Sequence, residues 1–418
     1  MPTLWDYRYA QRTQRMSSSA IRELLKLTEQ PDMISFGGGM PAPELFPVAE
    51  IADATARVLR DHGAQALQYS TTEGYRPLRE WVCETSSRAG LAVSPDNILI
   101  TTGSQQALDL IGKVFINPGD RLLVENPTYL GAMQAWAAYG AEYVAVGMDD
   151  DGMLTDDLEA AFRAGPKFIY ALPNFQNPSG VSLSLPRRRQ LIDLAERQGV
   201  PIIEDDPYGQ LRFEGDPLPS IAALDGLACG DGSTYHGNVI YLSTFSKILA
   251  PGFRLAWVIA PPQVIRKLVQ AKQGADLHTP SFTQLIAYEI ARTGFIDEHV
   301  KVIQRVYGER RDIMLAALAA HFPPEVRWTR PRGGLFLWVT LPEGVDATDV
   351  LRRAIDDKVA FVPGAPFHPR GGGENTFRLN FSMMPPERIQ AGIARLGRVL
   401  STILDAPGVA ASPVAVTP

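Results

Sequence analysis

The sequence predicts an α/β fold: a large domain on a mostly parallel, seven-stranded sheet flanked by helices, plus a smaller α+β domain from the N-terminal arm and the C-terminal part. Seven short apolar, β-rich runs recur at 97–101, 121–125, 142–146, 167–172, 201–204, 239–243 and 255–260. The stretches between them carry helical spacing and caps. One opens at Ser184, with Pro186 in its first turn, and stops at Gly199. Alternation of strand and helix over this length points to parallel pairing, because parallel neighbours need a crossover between them. Past Phe282 the alternation yields to a long helical region. Strand-like runs at 334–341, 359–362 and 376–381 then follow, with a helix at 346–358.

These signals divide the chain into an arm (1–47) that packs with the small domain, a large domain (48–315), a small domain (316–405) and a tail (406–418). The tail is rich in Ala, Val and Pro without a helical or strand period, so it is expected to be loose. No internal repeat is visible.

At 418 residues the chain is long enough for two such domains. Its net charge is −6, and no basic run interleaved with aromatics occurs, which argues against a nucleic-acid partner. The cysteines, Cys83 and Cys229, fit a reducing compartment. Histidines are scattered, with neither His-Glu-x-x-His nor Cys-x-x-Cys, so no metal is expected. The first residues lack the apolar core of a signal peptide, and no apolar run is long enough to cross a bilayer. A soluble, cytoplasmic protein with no membrane partner is the expectation.

In parallel sheets ligands gather at the carboxyl ends of the strands. Polar clusters stand after five of the predicted strands, around Ser104, Asn126, Asn177, Asp205 and Lys247. Lys247 is the most telling. An ammonium between two buried strands is costly unless it is paired or its pKa falls, and a lysine with a lowered pKa is a nucleophile suited to a Schiff base with an aldehyde. Thr244, Ser246 and Arg254 beside it are donors of the kind that hold phosphate. An aldehyde and a phosphate together suggest pyridoxal 5'-phosphate (PLP).

The remaining pieces are weaker one by one. Gly103, Ser104 and Gln105 open an apolar helix whose free amides suit phosphate, although an ordinary N-cap serine is the commoner meaning of such a motif. Asp205 can keep a pyridine nitrogen protonated, and Tyr208 and Asn177 can bond the ring's phenolic oxygen; a solvated acidic turn is the competing reading of residues 204–206. Tyr129 can stack on a ring or simply join the core. Arg378, alternating with apolar neighbours, needs an anion, either a substrate carboxylate or a structural partner.

Taken in order, these motifs resemble the fold type I PLP-dependent aminotransferases of class I and II, the aspartate aminotransferase superfamily, from about Ser18 to Arg398. Ser243 to Lys247 with Arg254 resembles the lysine segment, and Asn177, Pro178, Ser179 and Gly180 resemble the family's Asn-Pro-Thr-Gly. Asp205 with Tyr208 and Arg378 resemble its ring and carboxylate contacts. The stretches 20–27, 34–47 and 67–79 are similar to the 2-aminoadipate and aromatic aminotransferase subgroup.

That resemblance implies a homodimer with shared sites, in which Tyr69 reaches the phosphate of the neighbouring subunit's cofactor. It also implies that Arg22 meets a substrate side-chain carboxylate and that Gly38 and Gly39 approach the substrate. The activity implied is amino transfer between an L-amino acid (2-aminoadipate, glutamate, leucine or aromatic) and a 2-oxo acid by a ping-pong mechanism. Lys247, Asp205 and Tyr208 are its catalytic residues. Two alternatives stand beside it: another PLP reaction on this fold (a lyase or decarboxylase), and a non-catalytic regulator. The regulator would carry a winged-helix unit ahead of the aminotransferase-like part, for which this chain has no room.

Overall fold

The computed structural model describes residues 3–16, 32–228 and 234–405. Short β1 (Ile34–Ser35) lies outside the main sheet. The main sheet is built from β2 (Ile98–Thr101), β3 (Arg121–Asn126), β4 (Glu142–Asp149), β5 (Gly152–Met153), β6 (Phe168–Ala171), β7 (Ile202–Asp205), β8 (Val239–Thr244) and β9 (Ala256–Ile259). Their spatial order is β2-β9-β8-β7-β6-β3-β4-β5. The seven predicted strands are all present. The eighth, β5, is two residues long and pairs antiparallel to β4 after a tight acidic turn, too short to carry a periodic signal. Only β5 and β9 run against the rest. Strands β2, β6, β7 and β9 are buried along their whole length, as expected where helices cover both faces.

The second sheet holds β10 (Arg327–Trp328), β11 (Phe336–Thr340), β13 (Val362–Pro363) and β14 (Thr376–Asn380), in the order β10-β11-β14-β13. Between them β12 (Val359–Ala360) leaves to pair in parallel with β1, Ile34 opposite Val359. The single run expected at 359–362 is therefore split between two sheets. Alternation cannot reveal such a split, because Phe361 is as buried as the residues on either side of it. The helix Phe295–His321 runs through the division drawn from sequence at 315/316 without a break.

The helix Leu185–Gln198 shows how local chemistry sets the ends. Ser184 stands extended at its N-cap, and Gly199 takes the left-handed conformation at its C-cap (φ 64°). Inside it, Arg188 is 0 % exposed. Its guanidinium donates to the carbonyls of Leu183 (2.9 Å), Pro219 (2.7 Å) and Pro173 (2.8 Å) and to Asn174 Oδ1 (2.6 Å). It thus ties together two loops, the one between β6 and this helix and the one that follows β7. Replacing it leaves several buried acceptors without donors. Arg188→Leu is expected to cost about 3–5 kcal/mol of stability by denaturant unfolding. A loss below about 1 kcal/mol would show that water replaces those bonds freely.

Candidate active site

At the carboxyl ends of β2, β3, β6, β7 and β8 the loops close on a cavity of about 340 Å³. Each of the five strands contributes a polar lining residue: Ser104, Tyr129, Asn177, Asp205 and Lys247. Parallel pairing is the cause, since it turns these loops to one edge of the sheet. Arg378 enters from β14 of the second sheet.

Lys247 follows β8 and donates to the carbonyl of Gly39 at 2.9 Å. Burial, with help from the neighbouring Arg378 and Arg254 guanidiniums, lowers its pKa to about 8. Its free-base form is therefore accessible near neutrality, as the sequence argument required.

Asp205 ends β7 and is 2 % exposed. Its Oδ2 accepts the Tyr170 hydroxyl at 2.8 Å, while Oδ1 is buried without a hydrogen-bond partner. Burial raises its pKa to about 7; the Tyr170 bond acts in the opposite direction, and neighbouring Asp206 adds to the rise. Asp206 is the contrast. Both its oxygens are used, by Asn174 Nδ2 (3.0 Å), Gly209 N (2.8 Å) and Tyr241 Oη (3.1 Å). Of two adjacent carboxylates, only Asp205 lines the cavity, and only Asp205 keeps an oxygen without a partner. Residues 204–206 are not a solvated turn: Glu204 too is buried, its oxygens accepting the amides of Ile221 and Ala222 at 2.8 Å.

An acid whose folded pKa lies above its unfolded value binds more protons when folded, so stability falls as pH rises from about 4 to about 7. In the cofactor-free protein Asp205→Asn is expected to raise the Tm at pH 8 and to leave it nearly unchanged at pH 4. Equal shifts at both pH values would show that Asp205 is not the group responsible.

Arg378 is 3 % exposed. It donates to Asn177 Oδ1 and to the Gly37 carbonyl, both at 2.7 Å, and its Nε has no partner. Its guanidinium lies over the rings of Phe336 (4.2 Å) and Phe367 (5.2 Å). Among the described residues no carboxylate is within ion-pair distance of it, and desolvation lowers its pKa to about 10. A buried cation held by dipoles and ring faces, with no anion, is a receptor for one. Tyr208 is buried within hydrogen-bonding reach of Asn177, and burial pushes its hydroxyl far above the usual range.

Ser104, Gln105, Thr244, Ser246 and Arg254 also line the cavity. Ser104 is the first residue of the helix Ser104–Phe115 rather than its cap, and its buried Oγ has no partner. Gly103 caps the helix at φ 80°, and a Cβ there would stand 2.5 Å from Arg254 Nη2. Glycine is needed both for that backbone and for the close approach of the arginine. Thr244 Oγ1 bonds Ser246 Oγ at 3.0 Å, and Gln105 Nε2 bonds the Gly131 carbonyl at 2.9 Å.

These residues fit PLP. An unpartnered carboxylate oxygen suits a ring N–H, an unpartnered hydroxyl at a helix start suits a phosphate, and a lysine of lowered pKa suits the aldehyde. Gly39 lines the cavity, whereas Gly38 stands behind it and gives its carbonyl to Asn380 Nδ2 at 2.7 Å. Tyr69 is 80 % exposed, edge-on to His278, and does not line the cavity of its own chain. Arg22 lies outside the described residues.

Sequence reasoning missed Tyr170, which holds Asp205, and the Phe336 and Phe367 rings that flank Arg378. Each looks like an ordinary core aromatic in its own strand or loop. Only the pairing across strands gives it a polar neighbour.

A family model, "Aminotransferase class I and II", matches residues 31–396. The chain is 47 % identical over 404 residues to the 2-aminoadipate transaminase of Thermus thermophilus, across 96 % of this chain and 99 % of that one. It is also 47 % identical over 411 residues to aromatic-amino-acid aminotransferase 1 of Thermococcus litoralis, across 96 % and 95 %. A solved α-aminoadipate aminotransferase of Thermus thermophilus, complexed with N-(5'-phosphopyridoxyl)-L-leucine, superposes with a TM-score of 0.89. It is 46 % identical over 96 % of this chain and 99 % of that one. With its aspartate aminotransferase-like fold and a cavity whose unpartnered groups match PLP, the chain belongs to the class I and II aminotransferases, and it is a PLP-dependent transaminase.

Proposed function

We propose that this aminotransferase moves the amino group of 2-aminoadipate, glutamate, leucine or an aromatic amino acid to a 2-oxo acid. The observation that carries amino-acid binding is Arg378, a buried guanidinium with an unpartnered Nε and, among the described residues, no carboxylate within ion-pair distance. The donor range rests on the names of the two relatives at 47 % identity. Arg22 is the residue proposed to meet a side-chain carboxylate.

PLP, when bound, supplies the aldehyde that takes the amino group and a ring that withdraws electrons from the substrate's Cα–H bond. The chain's own residues do the rest. Arg378 holds the α-carboxylate so that Cα–H stands near Lys247. Lys247, with a pKa of about 8, takes the Cα proton on Nζ and delivers it again. Asp205 Oδ1 would accept the ring N–H, Tyr208 and Asn177 would bond the phenolic oxygen, and Tyr129 would pack against the ring. Gly103, Ser104, Gln105, Thr244, Ser246 and Arg254 would hold the phosphate, and Gly39, with Gly38 next to it in the chain, would approach the substrate.

We propose further that the enzyme is a cytoplasmic homodimer with shared sites. The exposed Tyr69 supports this, since in the dimer it would reach the phosphate of the neighbouring subunit's cofactor. The scarcity of cysteine supports a reducing compartment. Among the described residues no helix is long and apolar enough to cross a membrane.

The test is a visible absorption titration of the holoenzyme with L-2-aminoadipate, L-glutamate, L-leucine and L-phenylalanine in parallel. Conversion of the cofactor to its amine form, with release of one oxo acid per site, is expected. The lowest half-saturating concentration ranks the donors. A cofactor band that none of the four alters would overturn the substrate reading.

A further inference from the structure

Tyr170 sits in the middle of β6, with β3 on one side and β7 on the other, opposite Val124 and Ile203. Its side chain is 0 % exposed and stands edge-on to Trp136, ring centroids 5.0 Å apart at 90°. Trp136 is itself pinned by its Nε1 to the Leu108 carbonyl at 2.9 Å. A phenol wedged this way has one use for its hydroxyl, the 2.8 Å bond to Asp205 Oδ2. Tyr170 does not line the cavity; Asp205 does.

We propose that Tyr170 is a positioning residue for the cofactor's ring nitrogen: it occupies one oxygen of Asp205, so that the other oxygen alone faces the cavity and the carboxylate stays ionised. The proposal rests on the reading of Asp205 as the ring-nitrogen partner. Two geometric facts carry it. Tyr170 bonds one oxygen of Asp205 from outside the cavity that Asp205 lines, and the remaining oxygen is buried without a partner.

A free carboxylate can rotate, and a buried one tends to take up a proton. A phenol donor opposes both. It restricts the rotation, and it stabilises the anion by a charge-assisted hydrogen bond. The proton shared between Asp205 and the ring nitrogen is thereby held on the nitrogen, the state in which the ring withdraws electrons. Burial and the facing carboxylate push the Tyr170 hydroxyl well above the usual phenol range, so it remains a donor at every working pH. The other charged neighbour, Asp206, is saturated by its own three donors and does not compete for Tyr170.

The experiment compares Tyr170→Phe, Asp205→Asn and the parent as holoenzymes, with three readouts. These are the pH midpoint of the bound cofactor's visible absorption, the affinity of the cofactor-free protein for PLP, and kcat against KM. Losing ring positive charge should raise the absorption midpoint. Tyr170→Phe is expected to move it upward, in the direction of Asp205→Asn but less far. PLP affinity and kcat should each fall about tenfold, with KM for the amino donor little changed.

A Tyr170→Phe enzyme with the parent's midpoint and affinity would overturn the proposal, whatever its Tm. If Asp205→Asn itself leaves both readouts unmoved, the reading of Asp205 fails and the proposal falls with it. Should Tyr170→Phe not fold, ortho-fluorotyrosine at 170 provides a stronger donor in the same place. It is expected to lower the midpoint, and an unchanged midpoint there would equally overturn the proposal.

Discussion

Lys247→Ala is expected to abolish transamination while leaving a folded protein that still takes up cofactor. On the proposed mechanism the amine is the base that moves the Cα proton, and its lowered pKa leaves it partly unprotonated near neutral pH. Its pKa falls to about 8 because it is buried and flanked by two guanidiniums, Arg378 and Arg254. Alanine keeps the backbone and removes the base, leaving the Gly39 carbonyl without its 2.9 Å donor. Losing the proton transfer alone is worth roughly 10²–10⁴-fold in rate. Loss of the nucleophile that holds the cofactor aldehyde deepens the defect. Single-turnover release of oxo acid from donor measures the loss directly. Equilibrium dialysis with PLP checks that Asp205 and the phosphate donors still hold the cofactor. Turnover within tenfold of the parent would remove Lys247 from the mechanism.

Arg378→Lys should lower kcat/KM for amino acids by about 10- to 100-fold, mostly through KM. Charge is kept, so the loss isolates geometry. The guanidinium spends Nη1 on Asn177 and Nη2 on Gly37, lies 4.2 Å over Phe336, and keeps Nε free. An ammonium cannot reproduce that fork or its stacking. The discriminating control is an amine donor without an α-carboxylate, whose slow reaction should be unaffected. An equal loss with the amine would mean that Arg378 supports the fold of the cavity rather than the substrate.

How much of this was legible in the chain differs from element to element. The strands of the main sheet were readable because central parallel strands are apolar on both faces and are bounded by helical spacing, as in β6 and β7. The lysine was readable because a cation between two apolar runs is chemically conspicuous. Less legible were β5 and the split at Phe361, where two-residue pairings carry no period. Ser104 shows a subtler limit: sequence offered an ordinary cap, but the cap is Gly103 and the serine hydroxyl is left unpartnered.

What the sequence determined by itself is therefore the inventory and the layering: which strands form and which loops end in the polar residues, a lysine, hydroxyls and an acid among them, that line one cavity. These follow from local patterning, which each segment carries alone. What only the tertiary structure decided is which atoms remain free. Asp205 and Asp206 are neighbours of one residue type, and the motif that singles out Asp205 does not say which of their oxygens stay free. Strand pairing brings Tyr170 to one oxygen of Asp205, while Asn174, Tyr241 and the Gly209 amide saturate Asp206. Arg378 likewise is left without an anionic partner among the described residues because the second sheet brings it against Asn177 and Gly37, whose oxygens are neutral. The availability of a buried polar atom depends on every partner that packs around it, and those partners come from segments far apart in the chain.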